Sequence, residues 1–83
     1  MTNVVELSIV LPVYREQAVI PALAERCFLA ALQTGLAFEV VFVDDASDDA
    51  TPDRIRELPA EYRSRLVRLS KNRGQFGATQ RGL

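Results

Sequence analysis

The sequence predicts an α/β domain in which parallel strands alternate with helices. Three observations carry that prediction. Three runs of strand length occur, an apolar one at Leu7–Leu11, a β-branched and aromatic one at Phe38–Val43, and a third at Arg65–Ser70. Segments with helical spacing or helix-start chemistry separate them. Gly and Pro stand at the junctions, where turns and caps need them. The resulting order is strand, helix, strand, helix, strand and the start of a helix. Such alternation implies right-handed crossovers, with ligands bound at the carboxyl ends of the strands.

Each element has a local reason. Leu7-Ser8-Ile9-Val10-Leu11 reads as a strand buried on both faces and ended by Pro12. Pro21 suits the first turn of a helix, where a missing N–H costs nothing. Ile20, Leu23, Ala24, Cys27, Ala30 and Ala31 then fall on one side, and Gly35 occupies a left-handed C-cap position. Cys27 lies in that stripe and reads as core rather than as a nucleophile. Phe38 to Val43 forms the second strand, ending at Asp44-Asp45. Thr51-Pro52 supplies an N-cap and a proline at N1 for a short helix that ends before Pro59. Arg65 to Ser70 is the third strand, Asn72-Arg73-Gly74 a turn, and Gln75 the opening of a third helix.

Composition sets bounds on function. Of the 83 residues 48% are hydrophobic and 25% charged, which excludes disorder and fits a globular chain. The longest stretch free of charge, Cys27 to Phe38, is too short to span a bilayer. No cationic n-region precedes an apolar run at the start. One cysteine and no histidine exclude an internal disulfide and a histidine-based triad, and leave almost no ligands for structural zinc. Net charge is −1, so nothing pulls the chain globally toward nucleic acid. The charge is nevertheless uneven. Residues 1–53 hold nine acids and two bases, whereas residues 54–83 hold eight bases and two acids. Either two opposed surfaces attract each other, or an acidic site for base, sugar or metal adjoins a basic one for phosphate.

The loops that leave the three strand ends carry the chemistry. Asp44 and Asp45 are able to accept hydrogen bonds from a base or ribose or to hold a cation. Neighbouring residues in a strand point to opposite faces, so one should meet the ligand while the other braces the loop. Ser47, Asp48, Asp49 and Thr51 read as turn and cap residues. Lys71, Asn72, Arg73 and Gly74 place cationic and amide donors before a helix start, an arrangement that suits phosphate oxygens. Gly77 to Gly82 has the outer spacing of a Walker A loop, but Leu83 stands where lysine is required. Gly74 and Gly77 do not complete a G-x-G-x-x-G motif either.

Together the loops resemble glycosyltransferase family 2, with its GT-A (Rossmann-like) fold. Ile9-Val10-Leu11-Pro12-Val13-Tyr14-Arg15-Glu16 is similar to the family's V-x-P-x-Y-N-E opening. Val43 to Thr51 resembles V-D-D-G-S-T-D-G-T. Leu69 to Gly82 resembles L-S-R-N-x-G-x-x-x-A-x-x-x-G, the form typical of the polyprenyl-phosphate branch, whose members include dolichol-phosphate mannosyltransferase-like and bactoprenol glucosyltransferase-like enzymes. Four residues depart from the pattern: Arg15 stands for asparagine, Ala46 and Ala50 for glycines, and Arg73 for an aromatic or small residue. Alanine at positions 46 and 50 implies angles that do not demand φ > 0, or a slightly strained loop.

The resemblance implies the nucleotide-sugar-binding part of an inverting hexosyltransferase, with strands in the order 3-2-1 over residues 1–83. It places Pro12, Tyr14 and Glu16 around base and ribose. Asp44 bonds the base or ribose with Asp45 beside it, and Lys71, Arg73 and Gly74 lie near the diphosphate. The implied donor is a UDP- or GDP-sugar, and the acceptor a polyprenyl phosphate or a saccharide. Mg2+ or Mn2+ would be held by a later motif, so neither a metal ligand nor a catalytic residue is named here. The implied location is the cytoplasm, or the cytoplasmic face of a membrane if membrane helices follow. A receiver domain fits poorly, because its acidic pair follows the first strand. A non-catalytic α/β nucleotide-binding or interaction module is the alternative. The absent fourth strand suggests a truncated domain that is inactive alone and self-associates through the open edge of its first strand.

Overall fold

The computed structural model describes residues 4–70. Strands β1 (Leu7–Val13), β2 (Phe38–Asp44) and β3 (Ser64–Arg68) form a parallel sheet in the order β1-β2-β3, as the sequence implied. Helix α1 (Ile20–Thr34) joins the first two strands, and α2 (Thr51–Arg56) with a 3-10 turn at Ala60–Tyr62 joins the second pair. The expected third helix from Gln75, like Lys71, Asn72, Arg73 and Gly74, lies outside the described residues.

β1 runs two residues past the expected stop at Leu11, straight through Pro12. The ladder explains why. The Leu7 N–H donates to Ala37 O, and Val13 O accepts from the Asp45 N–H, so odd-numbered residues of β1 face β2. Pro12 is even-numbered, and its missing N–H falls on the outer edge, where a sheet tolerates proline.

The core has one side. Phe38, Val40 and Phe42 of β2 meet Ile20, Ala24 and Ala31 of α1, Ile55 of α2 and Val13 of β1. Leu7, Ile9 and Leu11 pack partly against this cluster, while Val10 on the opposite face is 58% exposed. The expectation that β1 is buried on both faces is therefore corrected for the described residues. Both crossovers advance in the same direction across the sheet, so right-handed connections put α1 and α2 on one face.

The helix ends obey local chemistry. Gly35 is left-handed (φ 71°), and its N–H donates to Leu32 O. The α1 stripe holds except at Ala30, which is exposed, while Phe28 packs on the core and stacks on Tyr62 with centroids 4.6 Å apart. Thr51 is not the N-cap of α2. It is the first helical residue, its N–H donates to Asp49 Oδ1 at 2.9 Å, and Ala50 precedes it without a side-chain cap. Burial raises the thiol pKa of the half-buried Cys27, against a smaller opposing influence from Arg26. No helix among the described residues is long and apolar enough to cross a membrane.

Candidate functional site

The carboxyl ends of β1 and β2 release two loops that are stitched together. The Arg15 N–H donates to Ser47 Oγ at 2.8 Å, and the Glu16 N–H to Thr51 Oγ1 at 2.8 Å. The Ala50 N–H donates to Gln17 Oε1 at 2.7 Å. The Arg15 guanidinium adds a two-point bond to Asp48, Nε to Oδ1 at 2.7 Å and Nη2 to Oδ2 at 2.6 Å. Ser47, Asp48, Asp49 and Thr51 thus serve loop geometry, as their chemistry suggested. The partners that Ser47, Asp48 and Thr51 hold in the first loop lie more than thirty residues away in sequence, whereas Asp49 accepts from the Thr51 N–H two residues on.

Two residues adopt left-handed backbone here, Arg15 (φ 51°) and Ala46 (φ 61°). Of the two readings for alanine at position 46, the strained loop is the one observed. Ala50 has φ −86° and carries no such demand. At position 15 the family's asparagine is a side chain that tolerates this region, and arginine is not. Arg15 gains compensating contacts through Asp48 and over the Tyr14 ring, 5.5 Å from its centroid. Its pKa is raised, chiefly by the hydrogen bond to Asp48 and by that carboxylate's charge.

The acidic pair divides between inside and outside as strand alternation requires, and it is Asp44, expected beside base or ribose, that points inward. Asp44 is fully buried. Its Oδ2 accepts from the Ser47 N–H at 3.1 Å and from Arg68 Nε at 2.9 Å, while its Oδ1 accepts from the Ser47 hydroxyl. Asp45 is exposed on the rim, with its N–H on Val13 O. The carboxylate open to the rim is therefore Asp45, and Asp44 braces the loop. Its even parity with Phe38, Val40 and Phe42 was the available signal: a strand whose even positions are core puts its last even position inside.

Pro12, Tyr14 and Glu16 are exposed beside Asp45, with Tyr14 at 51%. The structure thus brings four expected residues to one rim and withdraws Asp44 from it. Lys71, Arg73 and Gly74 fall outside the described residues. Sequence reasoning missed Arg68, whose Nη2 also donates to Ser47 O at 2.7 Å. Arg68 borders a cleft of about 380 Å³ with Ala46, Leu69 and Ser70. A larger cavity of about 770 Å³, lined by Phe38, Glu39, Arg63 and Arg65 among others, lies at the amino ends of the strands. Strand-end chemistry in this fold belongs at the opposite pole. Opposite charges from the two halves do pair, Arg68 with Asp44 and Arg65 with Glu39, the latter at 3.6 Å. Among the described residues no three acidic, cysteine or histidine side chains converge to hold a metal.

Comparison with known proteins identifies the family. The profile described as "Glycosyl transferase family 2" matches residues 8–83. An undecaprenyl-phosphate 4-deoxy-4-formamido-L-arabinose transferase of Aeromonas hydrophila is 39% identical over 83 residues, covering 98% of this chain and 26% of that protein. The like-named protein of Shewanella sediminis is 39% identical over 82 residues, covering 96% and 25%. That of Pseudomonas aeruginosa is 38% identical over 78 residues, covering 92% and 23%. The chain spans about a quarter of the length of these relatives. No solved structure matches it. The profile covers nearly all of the chain, including both strand-end loops: the chain belongs to glycosyltransferase family 2.

Proposed function

We propose that this chain supplies the donor-binding part of an inverting glycosyltransferase that moves a sugar from a nucleoside diphosphate to a polyprenyl phosphate. One observation carries the reading: two interlocked loops present Tyr14, Glu16 and Asp45 together at the strand ends. Asp45 accepts a hydrogen bond from a base N–H or ribose hydroxyl, Tyr14 offers a ring face, and Pro12 and Glu16 border the pocket. Lys71, Arg73 and Gly74 are assigned to the diphosphate. The similar proteins are named for undecaprenyl phosphate, which favours a polyprenyl phosphate over a saccharide acceptor and puts transfer at a membrane face. Their named sugar is an arabinose derivative, a pentose, so the proposal is of a glycosyl group rather than of a hexose alone.

Mg2+ or Mn2+ would neutralise the diphosphate leaving group. The described residues do not fit such a site, since Asp44 is filled by Ser47 and Arg68 and no cluster surrounds Asp45. No step is assigned to the ion here. Calorimetry of the chain with UDP, GDP and CDP tests the proposal. Saturable binding of at least one is expected, weakened roughly tenfold or more in Asp45→Ala through loss of a charge-assisted bond. Binding of none would leave a non-catalytic interaction module as the better reading.

A further inference from the structure

Asp44 poses an energetic problem whose solution lies on another strand. A buried carboxylate is costly unless it is paired and hydrogen-bonded. Ser47 supplies two of its donors, and Arg68 supplies the only cation that reaches it among the described residues. Arg68 does more than neutralise. One guanidinium edge binds Asp44 through Nε, and Nη2 binds the Ser47 carbonyl at 2.7 Å. Beside it, the Leu69 N–H donates to the Asp44 carbonyl at 2.9 Å. The end of β3 therefore grips both ends of the segment from Asp44 to Ser47. Asp45 and left-handed Ala46 sit between the two grips.

We infer that Arg68 is a positioning residue for the donor: it fixes the rim carboxylate of Asp45 by clamping the residues on either side. This rests on the reading of the rim as the nucleotide site. Arg68 acts through Asp45 rather than on the nucleotide. A planar fork is needed, because a lysine ammonium is a point charge and lacks the fork geometry to hold the Asp44 carboxylate and the Ser47 carbonyl together.

The test compares stability, affinity for whichever of UDP, GDP or CDP binds the unaltered chain, and amide exchange of Asp45 to Ser47. Arg68→Leu alone orphans a buried charge and is expected to lower the melting temperature, so it does not separate support from positioning. Asp44→Asn with Arg68→Leu removes both charges. The expected result is a melting temperature near that of the unaltered chain, affinity still reduced roughly tenfold, and faster loop exchange. Arg68→Lys is expected to recover stability more fully than affinity. A double variant that binds and exchanges as the unaltered chain does overturns the inference. Should that variant fail to fold, unchanged affinity in Arg68→Lys overturns it equally. If the unaltered chain binds no nucleotide, the donor-site reading falls instead, and unaccelerated exchange in the double variant, or in Arg68→Lys, still refutes the clamp.

Discussion

Arg15 and Asp48 form a two-point bond across the rim, with Nε and Nη2 on separate carboxylate oxygens at 2.7 and 2.6 Å. Both side chains are about half exposed. The pair joins the loop after β1 to the loop after β2, in parallel with the partly buried main-chain tie from the Arg15 N–H to Ser47 Oγ. Burial separates the two links. The Ser47 tie is partly shielded from solvent, whereas the guanidinium pair is open to salt.

Arg15→Asn should therefore keep the fold, because asparagine accepts the left-handed backbone at this position. Any loss of thermal stability at low salt should vanish toward roughly 1 M NaCl, where an exposed pair is screened. A deficit that persists in high salt would mean that arginine supports the loop by something other than charge.

Ala46→Gly should stabilise the chain. Left-handed backbone costs a residue with a Cβ about 1–2 kcal/mol, and the extra unfolded-state entropy of glycine returns roughly half of that. Chemical denaturation is expected to show a net gain of about 0.5–1 kcal/mol. A loss would indicate that the Ala46 methyl packs more usefully than its backbone suffers.

Asp49 predicts a response to acid. The hydrogen bond from Thr51 holds its carboxyl below the ordinary value of 3.8. A group whose folded pKa is depressed contributes stability above its unfolded pKa and loses it as pH falls through the folded value. Asp49→Asn should lower stability modestly at neutral pH and flatten that part of the acid limb, so that the variant and the unaltered chain converge in acid. An identical acid limb in the variant would contradict a stabilising Asp49–Thr51 hydrogen bond.

The sheet predicts association. Among the described residues one face carries Val10, Pro12, Val43 and Val67 without a covering helix, and the outer edge of β1 has no neighbour. Open apolar edges pair with other chains. Sedimentation of the 83-residue chain should show a dimer or larger species, and Val10→Lys should shift it toward monomer. A monomer at high concentration would contradict this.

Much of this architecture was legible in the chain because its signals are local. Gly35 sits where a helix needs a left-handed residue, Pro21 lies in the first turn, and Phe38 to Val43 has the β-branched and aromatic content of a central strand. The rim was legible only in outline. That Tyr14, Glu16 and Asp45 meet follows from strand order alone. That Ser47 catches the Arg15 N–H, or that Arg68 reaches back to Asp44, depends on register between segments more than twenty residues apart, which no local pattern encodes. Pro12 misled for the same reason: whether proline ends a strand depends on which side its nitrogen faces.

The central claim is that the strand-end rim is a nucleoside diphosphate site, and isotope-labelled titration with UDP, GDP and CDP tests it most directly. The expected result is that amide shifts concentrate at Tyr14 to Gln17 and Asp45 to Asp48 and fade in Asp45→Ala. Shifts confined to the opposite pole, around Phe38, Glu39, Arg63 and Arg65, or no shifts with any of the three nucleotides, would contradict it.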